Sequence, residues 1–118
     1  MTIAETAEAT GFSTYTLRYY EKVGVLQNIT RDSSGHRNFS DQDVDILKFL
    51  NCLKKADMSI KEIRDFTDLL YSNESTLELR VELLEEQKSR VRTKLDDIQE
   101  AYNHIKWKID YYNQQLGR

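Results

Sequence analysis

The sequence predicts a mainly α-helical protein in two parts, a head of short helices and one long C-terminal helix. The chain contains no proline and only four glycines, and 31% of its residues are charged, a composition that favours long helices. Capping residues and glycines divide residues 1–71 into short segments, whereas residues 75–116 contain neither glycine nor proline. We therefore expect a head domain over 1–71 and a coiled-coil helix over 75–116.

Composition excludes several classes of protein. A chain of 118 residues is too short for a large enzyme with a deep cleft, and one cysteine excludes an internal disulfide or a multi-thiolate metal site. No apolar run approaches the roughly 20 residues of a membrane helix. The first ten residues carry two glutamates and no lysine or arginine, unlike a secretory signal. We expect a cytoplasmic protein without a cofactor, and two separated histidines with one cysteine do not suggest a catalytic set.

Start and stop signals define the first two helices of the head. Residues Thr2 to Glu5 form a capping box, and Gly11 is placed to end the first helix. Ser13 caps a second helix that runs to about residue 23, before Gly24. The two helices are therefore predicted to be short and separated by a tight turn.

A hairpin and two further helices complete the predicted head. The turn tetrad 32–35 lies between two short extended arms, 26–30 and 36–39. Ser40 caps a third helix, and Ser59 begins a fourth with a second capping box. The third helix has apolar residues that recur at helical spacing, namely Val44, Ile46, Leu47, Phe49, Leu50 and Leu53. The apolar residues of the fourth helix are expected to face inward; they are Ile60, Ile63, Phe66, Leu69 and Leu70.

The long helix begins at a third capping box, residues 75–78, and carries an apolar seam with alternating spacings of four and three. It would be about 60 Å long at ~1.5 Å per residue. A chain this small cannot cover such a seam, so a homodimeric coiled coil is predicted; folding back onto the head is disfavoured because the seam is long and narrow. Lys88 alone interrupts the seam. The predicted dimerisation residues are Leu77, Val81, Leu84, Val91, Leu95, Ile98, Tyr102, Ile105, Ile109 and Tyr112.

The first two helices have the pattern of a helix-turn-helix. Ala7 is small enough for the second helix to cross closely, Gly11 makes the turn, and Leu17 fills the angle between the helices. Many helical hairpins share this pattern, so the second helix has to supply more evidence. Its face carrying Leu17, Tyr20 and Gly24 is assigned to the core.

The opposite face of the second helix has the chemistry of a DNA-reading surface. The net charge of −3 argues against nonspecific nucleic-acid binding, but residues 11–38 are locally basic. Arginine suits guanine edges or phosphates, and hydroxyls suit phosphates. A solvated amphipathic face is the alternative, although two tyrosines and a threonine are unusual choices for solvation alone. The residues assigned to this face are Thr14, Tyr15, Arg18, Tyr19 and Lys22.

The hairpin supplies a second basic group beside the second helix. Arg31, His36 and Arg37 flank its turn, so the hairpin could serve as a wing that touches the phosphate backbone or a minor groove. An ordinary polar loop residue is the alternative for His36. A metal-ligand role is disfavoured because no second histidine or thiol lies nearby in the sequence.

Residues 16–26, TLRYYEKVGVL, followed by residues 35–40, GHRNFS, resemble the signature of the MerR family of bacterial transcription regulators. The resemblance covers the whole chain. It implies a winged helix-turn-helix and a homodimer joined by an antiparallel coiled coil on a pseudo-palindromic promoter element. It also implies that the dimer bends and untwists an overlong promoter spacer until RNA polymerase engages both of its elements. By position, Arg18 and Tyr19 match the family's recognition-helix contacts and Arg37 matches its wing contact.

Cys52 is the candidate sensor residue. Lys54 and Lys55 follow it closely and could favour the reactive thiolate, but a lone cysteine more often behaves as a small hydrophobic residue. The chain resembles a short, single-cysteine branch of the family, the NmlR/AdhR-like group, which is associated with aldehyde and other electrophile stress. That resemblance favours attack by the Cys52 thiolate on an aldehyde; a non-covalent effector with a structural Cys52 is the alternative.

A coiled-coil adaptor that binds protein is the rival from another functional class. It predicts salt-insensitive binding to its partner and no effect of Arg18→Ala on DNA. A DNA-binding regulator predicts an affinity that falls steeply with salt and depends on Arg18.

Overall fold

The computed structural model describes residues 1–118 and contains five helices and one two-stranded antiparallel sheet. Contacts divide it into a first unit, Met1–Arg80, and a second unit, Val81–Arg118. The elements in chain order are α1 Ile3–Thr10, α2 Thr14–Lys22, β1 Thr30–Arg31, β2 Arg37–Asn38, α3 Asp41–Lys55, α4 Ile60–Leu70 and α5 Leu77–Gln115.

Local capping sets most helix starts in the first unit. The Thr2–Glu5 and Ser59–Glu62 capping boxes are confirmed, each with both reciprocal hydrogen bonds. Ser40 also forms a box, with the shorter Asp43 as its acidic member. Helices α1, α3 and α4 therefore begin where their own side chains satisfy the free N–H groups.

The start of α5 differs from the prediction. The helix begins at Leu77, so Thr76 and not Ser75 occupies the position before its first residue. The Thr76 hydroxyl is buried and donates to the carbonyl oxygen of Leu69, 2.6 Å away. The residue that precedes α5 is therefore bonded to the end of α4, seven positions earlier in the chain.

The core of the first unit lies between α1, α2, α3 and α4. Ile63, predicted to face inward, is buried, and so are Leu47 and Leu50 from the apolar pattern of the third helix. Phe49 belongs to the apolar pattern of the third helix, but it is 39% exposed and lies at the edge of the core, with its ring 5.5 Å from that of Phe66. The remaining predicted positions divide into buried Val44, Leu53 and Phe66 and half-buried Ile46, Ile60, Leu69 and Leu70.

The hairpin is shorter than predicted. Its strands pair only Thr30 with Asn38 and Arg31 with Arg37. Of the expected first arm, 26–30, only Thr30 lies in a strand. At the other end of the arm Leu26 is buried in the core, and its N–H donates to the Tyr20 carbonyl, 3.0 Å away. The hairpin from β1 through β2 is called the wing below.

The second unit consists of α5 from Val81 onward and the residues that follow the helix. Most predicted dimerisation residues are exposed in the single chain, with Ile98 at 69%, while Leu84 and Val91 are half-buried. The helix ends at Gln115, one residue before the predicted Leu116. None of the helices is both long enough and apolar enough to span a membrane.

Candidate nucleic-acid interface

The turn between α1 and α2 fixes the direction in which α2 leaves α1. Gly11 ends α1 with φ 81°, a left-handed conformation that suits glycine. A Cβ at Gly11 would lie 3.3 Å from the side-chain nitrogen of Asn51, which donates to the Thr10 carbonyl at 3.1 Å. The Ser13 hydroxyl then accepts from the backbone N–H of Thr16, 3.1 Å away, and starts α2. The predicted helix-turn-helix geometry is therefore held by both backbone and side-chain contacts.

The predicted inner face of α2 packs into the core. Leu17 and Tyr20 are almost fully buried, and the ring of Phe12 meets that of Tyr20 edge-on at 5.3 Å. Burial raises the pKa of the Tyr20 hydroxyl. Ala7 and Gly24 are half-buried. The inner face assigned from the sequence is confirmed for Leu17 and Tyr20, and it determines which side of α2 meets solvent.

The opposite face of α2 is open to solvent. Tyr15 is 77% exposed and Tyr19 is 40% exposed. Arg18 and Lys22 are also exposed, while Thr14, at the first turn of the helix, is half-buried. This face combines hydroxyl and cationic groups that can donate to phosphate oxygens and base edges.

The turn of the wing is stabilised by its own side chain. Asp32 Oδ1 accepts from the backbone N–H groups of Ser34 and His36, each 2.9 Å away. The N–H of Gly35 donates to the Asp32 carbonyl at 3.0 Å, and Gly35 adopts a φ of 82°. The His36 imidazole remains exposed, with Nδ1 3.8 Å from the Asp32 carboxylate. The turn thus presents the His36 ring to solvent.

Glu21 makes contacts that the sequence did not predict. This residue is the single acid between positions 11 and 31, and its side chain is 25% exposed. Its Oε1 lies 2.8 Å from Arg37 Nε and 3.5 Å from Arg31 Nη2. Arg37, predicted as an open wing contact, is consequently only 22% exposed and is held against α2. The sequence signal that could have indicated these ion pairs is the presence of a single acidic residue in a basic segment.

Some of the predicted DNA contacts meet in one groove of about 630 Å³, which we call the wing groove. Arg18 lines it from α2, Arg31, His36 and Arg37 line it from the wing, and residues 1–3 form a further wall. The four other predicted contacts, Thr14, Tyr15, Tyr19 and Lys22, lie on α2 outside this lining. A basic groove beside an exposed helix face is a surface suited to a DNA backbone.

Cys52 lies on α3 and is exposed. Lys54, predicted to neighbour its thiol, places its ammonium over the Phe12 ring, 5.6 Å from the ring centre. A residue two positions further along is turned by about 200° around a helix, so Lys54 points away from Cys52. Lys55, three positions after Cys52, lies on the same side of α3 as the thiol. No group of three or more His, Cys, Asp or Glu side chains is arranged to hold a metal ion.

Comparison with known proteins identifies the family. Residues 1–70 match the family described as MerR HTH family regulatory protein. An HTH-type transcriptional regulator of Haemophilus influenzae is 37% identical over 111 residues, which cover 94% of this chain and 82% of that protein. AdhR of Bacillus subtilis, also an HTH-type transcriptional regulator, is 33% identical over 91 residues, 77% of this chain and 65% of AdhR.

Solved structures agree in fold over nearly the whole chain. A MerR family transcriptional regulator from Listeria monocytogenes superposes with a TM-score of 0.90 at 36% identity, covering 98% of this chain and 88% of that one. HiNmlR, described as a MerR family regulator lacking the sensor domain and crystallised bound to promoter DNA, gives a TM-score of 0.86 at 36% identity, covering 96% and 90%. The predicted helical fold, with its wing and long C-terminal helix, and the family resemblance are confirmed. The chain belongs to the MerR family of helix-turn-helix proteins and is a DNA-binding transcriptional regulator.

Proposed function

We propose that the chain acts as a homodimer that binds a pseudo-palindromic promoter element and bends and untwists its spacer. RNA polymerase is then engaged indirectly, through the shape of the promoter, in the bacterial cytoplasm. The observation that carries the proposal is that the exposed face of α2 adjoins the basic wing groove. Deforming the duplex costs a few kcal/mol, which phosphate contacts of the wing and α2 can offset.

Each contact residue has a role that follows from its chemistry. Arg18 is the base-reading residue, because an exposed guanidinium on α2 can donate two bonds to a guanine edge. His36 and Arg37 meet the phosphate backbone from the wing. The hydroxyl and ammonium groups on the remaining part of the face bind phosphates and set the register of the helix; they belong to Thr14, Tyr15, Tyr19 and Lys22.

Dimerisation through α5 is supported by the exposure of its apolar seam. Ile98, Tyr102 and Ile105 are each more than 60% exposed in the single chain, with values of 69%, 63% and 62%. A row of large apolar side chains on one helix face needs a partner surface, and an antiparallel second copy supplies a matching seam. Two copies related by a two-fold axis would present two α2 helices to two half-sites.

The DNA-binding proposal is tested with Arg18→Ala and a duplex site selected by the wild-type chain from a random library. We expect the variant to lose about tenfold or more in affinity for that site and little for a mixed-sequence duplex. Fluorescence anisotropy measures both affinities across salt concentrations, and energy transfer between labelled DNA ends measures bending. Lys61→Ala, which removes an exposed cation from α4, is the matched control. An Arg18→Ala protein with unchanged preference for the site would reject Arg18 as the base-reading residue, and a wild type that selects no site would support the adaptor alternative.

We further propose that Cys52 senses an electrophilic aldehyde. The thiolate adds to the carbonyl carbon, and the carbonyl oxygen takes up a proton, giving a hemithioacetal. Support comes from the exposure of Cys52 and from the similarity of the chain to AdhR. The sequence also resembles the short, single-cysteine NmlR/AdhR-like group. A new group on α3 would change the packing of that helix and so the spacing of the two DNA-binding heads.

The sensor proposal is tested by measuring DNA bending of the wild type and of Cys52→Ala with and without acetaldehyde. We expect the aldehyde to change bending only when the thiol is present, while both proteins bind the selected site equally well without aldehyde. Mass measurement of the adduct checks that Cys52 is the modified residue. An equal response of the two proteins would reject the thiol as sensor and favour a non-covalent effector.

A further inference from the structure

Glu21, near the end of α2, makes ion pairs with both strands of the wing. Its Oε1 lies 2.8 Å from Nε of Arg37 in β2 and 3.5 Å from Nη2 of Arg31 in β1. Arg31 also donates through Nη1 to the carbonyl oxygen of Gly35 in the turn, 3.1 Å away. One carboxylate therefore connects α2 to both strands and, through Arg31, to the turn of the wing.

The wing depends on such a connection because its own pairing is minimal. Its strands are two residues long, and a lone two-stranded hairpin is marginally stable in water. The side chains of Glu21 and Arg37 are 25% and 22% exposed, so water and salt screen this pair less than a surface ion pair. The N-terminal amine also donates to Asn38 Oδ1 in β2 at 3.2 Å and to the Phe39 carbonyl at 2.8 Å. Loss of the Glu21 pairs would therefore leave the wing attached to the head, but Arg31 and Arg37 would lose their fixed orientation against α2.

Glu21 places a negative charge close to the surface that is proposed to bind DNA. A carboxylate beside a DNA-facing groove repels phosphates and by itself weakens binding. The pair engages Nε of Arg37, and a guanidinium has two further nitrogens whose fork geometry suits a phosphate. An acid at this place therefore opposes DNA binding unless it orients the cations around it, and Glu21 is paired with Arg31 and Arg37.

We propose that Glu21 is a positioning residue that raises the affinity for DNA by holding Arg31 and Arg37 where the wing meets the phosphate backbone. This inference rests on the proposed DNA interface. It predicts the opposite sign from simple electrostatics: removal of a negative charge from the DNA-binding surface weakens binding.

The test compares Glu21→Gln with Glu21→Asp on the selected duplex site and on a mixed-sequence duplex. The first variant removes the charge, and the second keeps it but shortens its reach by one methylene. We expect both to bind each duplex about tenfold more weakly, with a salt dependence shallower by one to two phosphate contacts. Glu8→Gln, which removes an exposed carboxylate from α1, is the matched control and should bind at least as well as the wild type.

Two readouts separate positioning from a general structural role. The Nε–H resonance of Arg37 should be sharp and slowly exchanging in the wild type and broadened in Glu21→Gln, while the melting temperature stays unchanged. In an Arg31→Ala, Arg37→Ala background, Glu21→Gln should cost no further affinity, because the groups it positions are gone.

The possible failures are distinguishable. If Glu21→Gln binds DNA as tightly as Glu8→Gln or the wild type, the positioning role is rejected. The proposed DNA interface survives that result if Arg18→Ala still abolishes the site preference. If the wild type shows no site preference and Arg18→Ala changes nothing, the proposed interface fails, and the positioning role fails with it.

Discussion

The two units of the molecule obtain their stability from different places. The first unit, Met1–Arg80, buries Leu17, Leu26 and Leu47 almost completely within a single chain. The second unit, Val81–Arg118, carries apolar residues that are as large, yet Ile98 and its seam neighbours lie in solvent. Helices in proteins gain most of their stability from packing an apolar face. The first unit has that packing within the chain, and the second requires it from outside.

This difference also separates the proposed tasks of the two units. The first unit needs a fixed shape because α2 and the wing must be held at a set spacing to meet DNA. The second unit has a repeating seam whose side chains specify a partner and a register. Mutations in the two units should therefore produce different phenotypes: loss of a folded DNA-binding surface in the first case and loss of assembly in the second.

The largest effect is expected from Ile98→Glu, which places a carboxylate in the middle of the proposed seam. Burying that charge in an apolar interface should raise the dissociation constant of the dimer more than about a hundredfold. Sedimentation measures the assembly. Hydrogen exchange should show lost protection over residues 81–115 and retained protection in the core of the first unit. Thr93→Glu, which adds the same charge on the opposite helix face, should remain dimeric. A dimeric Ile98→Glu protein would place the interface elsewhere.

The next largest effect is expected from Leu47→Ala in α3. Leu47 is fully buried, so the substitution leaves a cavity in the core and should reduce the free energy of unfolding by about 3 kcal/mol. Urea unfolding followed by tyrosine fluorescence measures the change. The exposed neighbour Lys48→Ala should change it by less than about 0.5 kcal/mol. A Leu47→Ala protein as stable as the wild type would contradict the assignment of Leu47 to the packed core of the first unit.

Local chemistry made much of the fold predictable from the sequence. The capping boxes and the turn at Gly11 act over a few residues, so their signals lie together in the chain. Helical period assigned the inner and outer faces of α2 correctly because Leu17 and Tyr20 alternate with polar neighbours. Helical period gives the direction of a side chain and not its depth, so Phe49 follows the apolar pattern of α3 and yet lies at the edge of the core.

Contacts between distant residues explain what the sequence could not predict. Leu26 was assigned to an extended arm, but its N–H bond to Tyr20 and its burial draw it into the core. The role of Glu21 depends on Arg37, sixteen positions away, and appears only when the wing folds back on α2. The predicted DNA contacts are residues whose own side chains can bind DNA. A carboxylate such as Glu21 is not among them, because it acts on DNA only through the cations that it orients.

The smallest expected effect concerns pH and the capping box of α1. Hydrogen bonds from the backbone N–H and the side chain of Thr2 hold the pKa of Glu5 below its usual value of 4.5. A carboxyl group whose pKa is lowered by folding stabilises the folded state above its unfolded pKa, and this contribution is lost as the pH falls through the folded value. The stability advantage of the wild type over Glu5→Gln should therefore be present at about pH 6 and shrink towards about pH 3.

Thermal unfolding across that pH range measures this advantage, which is small because Glu5 is fully exposed. A difference that stays constant with pH would mean that the carboxylate charge contributes nothing to the start of α1. In that case the hydroxyl of Thr2 alone would account for the cap, and the first unit would owe this helix start to a neutral hydrogen bond.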